Sequence, residues 1–470
     1  MTALTDMSAR DVSQKMAAGE ITAVELMRAT LDQIAIWNGT VNAIVSLRDE
    51  ADLMAAAAQA DASARKGWLH GIPVAVKDLV MTKGIRTTLG SPIFADHVPD
   101  KDDLLAARLK ADGAILIGKT NTPEFGLGSN TFNPVHGITP NPYDRSRSCG
   151  GSSGGAAVSL ACRMTAVADG SDMMGSLRNP AAWNNVYGMR PTIGVVPDEP
   201  KSDYFLHPLA TLGPMARCPE DIAWLLQTLS GPDPRQVDGV DFDASAMDLT
   251  PDVKGKRIGW LADWGGALPY EDGIVDLCAS ALDVYRDLGA IVEPVEAPFP
   301  SEKIWNSWTT LRSWAIAAGR QEEWEDPEKR AKFKADVHWE VERGRGFSAM
   351  ELHNASVDAS SWFRRAAELF QTYDALVLPC AQVWPFTTDM IWPKEIAGRK
   401  MDTYHRWMEA VLPVSLIGLP AVNLPAGFGA AGLPMGMQIF GPRGADLRML
   451  ELAQAYHLAT DWPNKQPPTL

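Results

Sequence analysis

Cysteine, histidine and positive charge are all scarce in this sequence. Of 470 residues, five are Cys and eight are His, and the formal net charge is −15. The cysteines (Cys149, Cys162, Cys218, Cys278 and Cys380) have no CxxC spacing. Neither a disulfide framework nor a zinc ribbon is expected, and the scatter suits a reducing compartment, with the cytoplasm as the expected location. HExxH is absent, and no Cys–His cluster has zinc-ligand spacing, so no metal is expected. The acidic balance argues against nucleic acid and against an anionic membrane surface as partners. No apolar run is long enough to span a bilayer. The opening stretch MTALTDMSARD has no apolar core of a secretory signal.

What is present is a large apolar complement, 46% of the chain, ample for a sizeable core. Ser8 and Thr22 fit helix N-caps, and Thr22 with Glu25 forms a capping box. Helices are expected across 8–60. Gly71–Val76 is a short apolar strand, followed by a helix over Asp102–Lys110, a stop at Gly113 and a strand over Ala114–Ile117. The same cadence returns at Arg257–Leu261, Asp276–Leu288 and Ile291–Pro294. It denotes an α/β fold. Thr122–Asp144 is rich in Gly, Asn and Pro and reads as a long irregular segment of the functional kind. Ala156–Ala168 reads as a buried helix, or a helix running into a strand. Strands are also expected at Ala375–Leu378, Leu419–Phe428 and Met435–Phe440, with helices at Pro219–Leu229 and Leu447–Leu458.

Residues 301–370 form a helical, tryptophan-rich excursion. Nine of the sixteen tryptophans lie between Trp305 and Trp407. They serve either to anchor surface helices or to wall a pocket, and Trp324–Arg345 is expected as a charged helix. No repeat or linker interrupts the chain, so one domain over 1–470 is expected, with its catalytic core at about 70–220.

Three stretches carry chemistry. Lys77 ends the apolar run GIPVAV. It is either an ordinary strand-end lysine paired with Asp78, or a desolvated amine whose lowered pKa lets it accept a proton. Gly150–Gly155 (GGSSGG) is a flexible turn, an anion-binding helix start or a platform presenting two hydroxyls. The missing GK[ST] excludes a Walker loop. Gly170–Ser176 (GSDMMGS) is either a turn capped by Asp172, or a loop offering Ser176 as a nucleophile beside free backbone N–H groups. No histidine lies nearby, and Ser–Lys arrangements work without one.

Together these stretches resemble the amidase signature family. Ser152 lies 75 residues after Lys77, and Ser176 lies 24 after Ser152. The likeness extends to Gly118–Phe125 (GKTNTPEF), Gly213–Arg217 (GPMAR), Gly418–Phe428 and Gly432–Gln438 (GLPMGMQ). The resemblance implies a central mixed, twisted β-sheet flanked by helices and a Ser–cis-Ser–Lys triad. Ser176 would attack; Ser152, after a cis bond from Gly151, would bridge protons; Lys77 would be the terminal base. The amides of Met173, Met174, Gly175 and Ser176 would form the oxyanion hole. Asp172, Arg178 and Ser153 would support the two turns. Gly126, Gly128, Ser129 and Met174 would line the substrate pocket. No cofactor is implied.

The run Met173-Met174-Gly175-Ser176 departs from the family's Gly-Gly-Ser. If position 174 needs a positive φ, a methionine there is strained. Cys149 reads as a small buried residue. The implied function is hydrolysis of a carboxylic amide, ester or carbamate of a small, uncharged, fairly hydrophobic molecule, with water as co-substrate and a homodimer as the assembly considered. A first alternative is the glutaminase subunit of a tRNA-dependent amidotransferase. Its glutamine clamp would need an arginine and an aspartate where Ala359 and Met408 stand. A second alternative is a non-catalytic binding protein on the same scaffold.

Overall fold

The computed structural model describes residues 3–199, 203, 205–206, 208–237 and 239–469. Met1 and Thr2, the start of the opening stretch read above, lie outside them. Two sheets form the framework. The smaller has three strands, β1 (Ile44–Val45), β2 (Pro73–Lys77) and β3 (Ile115–Thr120), in the order β1-β3-β2. β2 and β3 run parallel and are buried at every position. That is why both read as continuous apolar runs and not as alternating ones.

The larger sheet is mixed. Its strands are β4 (Val167–Asp172), β5 (Tyr187–Arg190), β6 (Thr211–Ala216), β7 (Arg257–Trp260), β8 (Ile291–Pro294), β9 (Ala375–Pro379), β10 (Ala421–Phe428) and β11 (Pro434–Phe440). Their order is β8-β7-β9-β11-β10-β5-β6-β4. β7 pairs in parallel with β8 and β9, while the remaining pairs are antiparallel. The outermost strand, β4, faces β2 of the small sheet. The catalytic candidates sit along that seam.

The sheets are flanked by helices. Among them are α1 (Ala23–Val41), α2 (Gly154–Ala161), α3 (Arg178–Trp183), α4 (Ser301–Gly319), α5 (Ala335–Arg345) and α6 (Ala349–Leu369). α1 carries the Thr22–Glu25 capping box expected of it. α2 is buried at all its positions. Its glycines are there for close approach: a Cβ on Gly155 would stand 2.2 Å from the Asn121 backbone nitrogen, and one on Gly154 2.2 Å from Thr131 Oγ1. The segment 150–155 is therefore a packed junction and not a linker.

Three expectations are corrected. Gly170–Asp172 is the end of strand β4, not a loop, because Gly170 pairs with Gly213 and Asp172 with Thr211. The helix expected over Trp324–Arg345 is broken into Gln321–Glu325, Pro327–Arg330 and α5. Pro327 lacks the N–H needed to continue the first piece, and Asp326 caps the second. The helix expected over Asp276–Leu288 divides at Leu282, whose N–H is shared between the Cys278 and Ala279 carbonyls. Trp305, Trp308, Trp362 and Trp407 are buried in the main hydrophobic core, so these tryptophans anchor the helical excursion to the body. No helix among the described residues is long and apolar enough to cross a membrane.

Candidate active site

Lys77 closes β2 and points into the seam between the sheets. Its Nζ donates to three hydroxyls: Ser152 Oγ at 2.8 Å, Ser153 Oγ at 2.9 Å and Ser171 Oγ at 3.0 Å. Burial pulls its pKa down to about 7, against the opposing pull of the Asp169 and Asp172 carboxylates. Its neighbour Asp78 does not pair with it. That carboxylate accepts instead from Thr88, through the N–H at 2.9 Å and the hydroxyl at 2.5 Å. The reading of Lys77 as a strand-end lysine paired with Asp78 is thus replaced by a buried lysine held by hydroxyls.

The first serine arm is built by the irregular segment 122–144, which wraps around it. The Gly151–Ser152 peptide bond is cis. Ser129 Oγ lies 2.6 Å from the Gly151 carbonyl oxygen and 2.8 Å from Asn179 Oδ1, two acceptors that share its one proton, and Thr131 Oγ1 donates to the Gly150 carbonyl at 2.7 Å. Ser129, expected as a pocket wall, is therefore a support of the glycine turn. Gly126 lies beside the serine arm: a Cβ there would meet Ser152 Oγ at 3.3 Å and Leu79 Cδ1 at 2.9 Å. At Gly128 the same Cβ would meet only Lys334 Nζ, at 4.0 Å. Cys149 is fully buried, its thiol pushed up to about 12 by desolvation, as a small packing residue should be.

The second arm runs from the end of β4 to the start of α3. Asp172 ties it down. Its Oδ1 accepts from the Gly175 N–H at 2.9 Å and its Oδ2 from the Leu177 N–H at 3.2 Å. Arg178 donates to both oxygens at 3.0 Å, and Arg190 Nη1 to Oδ1 at 3.1 Å. Burial would raise the Asp172 pKa, but the two guanidiniums outweigh it and hold the carboxyl well below the usual range. The two arms are joined where the Ser153 N–H donates to the Ser176 carbonyl at 3.2 Å. Ser176 is 7% exposed, against 1% for Lys77 and 2% for Ser152. It is the member of the three most open to a ligand.

Two expectations about this loop change. The Gly175 amide is already committed to Asp172, which leaves Met173, Met174 and Ser176 as the amides available to an oxyanion. Met174 does not have a positive φ, whereas Gly175 does, at 78°. A Cβ on Gly175 would also strike Val411 Cγ1 at 2.8 Å. The strained position is therefore the one that kept its glycine. The Met174 side chain, expected as a pocket wall, is buried in the main hydrophobic core. Met173 is half-buried, with Arg312 Nη1 of α4 at 3.2 Å from its sulfur. At this point the helical excursion reaches the loop.

Sequence reasoning missed Ser171, Asp169, Arg190 and Asn179. Asp169 Oδ1 accepts the Lys77 backbone N–H at 2.9 Å. Asp169 and Ser171 are two apart on β4 and share a face, so reading Gly170–Asp172 as strand would have aimed both at Lys77. Nothing local marks Arg190 or Asn179. Among the described residues no cluster of three or more His, Cys, Asp or Glu side chains could hold a metal ion.

A buried amine of near-neutral pKa, hydrogen-bonded to Ser152 among its three serine partners and close to the loop bearing Ser176, can take up a proton as a hydroxyl attacks a carbonyl. The same fold is found in known proteins. A bacterial aryl acylamidase of the amidase signature enzymes superposes with a TM-score of 0.89 at 28% identity, covering 98% of this chain and 99% of its own. A glutamyl-tRNA(Gln) amidotransferase subunit from Thermotoga maritima gives 0.77 at 27% identity, covering 96% and 94%. In sequence, the corresponding glutamyl-tRNA(Gln) amidotransferase subunit from Chloroflexus aurantiacus is 33% identical across 99% of both chains. The Amidase family profile matches residues 25–450, and with that match the chain belongs to the amidase signature family and is an amide (C–N) hydrolase.

Proposed function

We propose that this enzyme hydrolyses the amide of a small, uncharged, fairly hydrophobic substrate through Ser176, Ser152 and Lys77. The observation that carries this reading is the 2.8 Å contact between Lys77 Nζ and Ser152 Oγ at a lysine whose pKa lies near neutrality. Neutral Lys77 takes the Ser152 proton as Ser152 takes that of Ser176, and Ser176 Oγ attacks the carbonyl carbon. The oxyanion forms against the amides of Met173, Met174 and Ser176. Lys77, now an ammonium, returns its proton through Ser152 to the departing amine. Water then attacks the acyl-enzyme by the same route and frees the acid. Each backbone donor of such a hole is worth roughly 10²–10³ in rate.

Ser176→Ala is expected to lose roughly 10⁴–10⁶ in kcat on a chromogenic anilide, and Ser176→Ala/Lys77→Ala to lose little more, since the residues act as a unit. A serine-reactive phosphonate should leave its adduct on Ser176. An adduct on Cys149, or full turnover by Ser176→Ala, would sink the assignment.

A second reading is the glutaminase component of a tRNA-dependent amidotransferase. The names of the sequence relatives favour it over the first. Two observations favour the free-standing hydrolase: the higher TM-score of the aryl acylamidase, and the absence of charge at Ala359 and at Met408, which is buried. Glutaminase activity that appears only with partner subunits and tRNA would establish the second reading. Turnover of aryl amides by the isolated chain would establish the first.

A further inference from the structure

We propose that Asp169 is a positioning residue of this relay, and that its carboxylate sets the proton affinity of Lys77 across a cavity the two residues share. The inference rests on the roles just given to Lys77, Ser152 and Ser176. Three observations carry it. First, β2 and β4 face each other at the seam between the sheets, and Asp169 reaches across to accept the Lys77 backbone N–H at 2.9 Å through Oδ1. Second, Asp169 is 1% exposed, and its Oδ2 is buried with no hydrogen-bond partner among the described residues. Third, a cavity of about 40 Å³ lies behind the lysine, with Lys77, Asp169 and Ser171 among its lining residues. A water needs roughly 10–15 Å³ and several polar partners, and this cavity supplies both.

A buried carboxylate with one free oxygen, beside a lysine in the same small cavity, stabilises the ammonium form of that lysine. Burial pushes the opposite way, towards the neutral amine. Asp169 thus holds the base within reach of neutral pH. Other charged groups face the same space. Asp103, Asp198 and Glu199 line the cavity, Asp172 acts from the other face of β4, and Lys119 of β3 opposes Asp169. Lys119 Nζ donates to the Val80 carbonyl and to Thr82 Oγ1, at 2.6 Å to the latter.

The test is the acidic limb of kcat/KM on an anilide. Asp169→Asn keeps an oxygen for the Lys77 amide and removes the charge. The limb is expected to move to lower pH by roughly one unit, so that the variant retains more of its own maximal rate in acid than the parent does. A purely structural role would lower kcat or Tm and leave the limb in place, and that result overturns the proposal. If Asp169→Asn does not fold, the smaller uncharged Asp169→Ser takes its place: a shift in the same direction supports the proposal and an unmoved limb overturns it. The two readings fail separately. A parent enzyme with no acidic limb, or an active Lys77→Ala, removes the triad. A parent limb that ignores these variants removes only Asp169.

Discussion

Arg190, at the end of β5, grips Asp172 from two strands away in the sheet. Its Nη1 lies 3.1 Å from Oδ1, it also donates to the Asp172 backbone carbonyl, and both side chains are fully buried. With Arg178 on the other side, one carboxylate balances two guanidiniums. The loop that carries Ser176 hangs from this cluster. Asp172→Asn keeps the shape and leaves the cations uncompensated. It should cost about 3–5 kcal/mol of stability, read by urea denaturation at neutral pH. The carboxyl is held below its ordinary range, so its contribution is complete above the unfolded pKa of about 4 and fades as pH falls below that. The variant should lose that part of the parent's acid sensitivity.

The pH profile of turnover tests Lys77. Its pKa of about 7 means that the neutral, proton-accepting amine dominates above pH 7 and the ammonium below it. kcat/KM should therefore fall about tenfold per pH unit on the acid side. A rate that stays flat from about pH 5 to about pH 8 would remove Lys77 as the base.

Gly175→Ala meets two obstacles, a φ of 78° and a contact of 2.8 Å with Val411 Cγ1. A loss of about 1–3 kcal/mol is expected from the backbone conformation alone, together with a lower kcat because Ser176 is displaced. In a Val411→Ala background part of the penalty should disappear. A strictly additive double mutant would show that the clash does not matter.

Met173 and Met174 should separate. Met174→Ala empties a core site and should cost about 2–5 kcal/mol, leaving the ranking of substrates unchanged. Met173→Ala alters the half-buried side chain against Arg312 and should change relative kcat/KM across a panel of amides, with little effect on Tm. The reverse pattern would place specificity behind the loop and not in front of it.

Much of this was legible along the chain. The capping box at Thr22, the buried strand ending at Lys77, and the helix–strand passage over 154–172 are local patterns, set by hydrogen bonds and burial within a few residues. The spacings of Lys77, Ser152 and Ser176 identified the family. The neighbouring roles were less visible. Ser129 looked like a pocket residue and supports the Gly151 carbonyl. Gly175 looked like an oxyanion donor, and its amide is taken by Asp172.

What the sequence by itself determined is the set of reactive side chains and the order in which the chain presents them. The tertiary structure alone decided which partners they keep. Arg190, Asp169 and Ser171 act through contacts 18, 92 and 94 residues away in the chain. These contacts depend on strand pairing and on where two sheets meet. A side chain's face follows from its strand register, and that register is set by partners far away in the chain. The same burial lowers the Lys77 pKa: a lysine at the end of an apolar run becomes a base only when a second sheet closes over it.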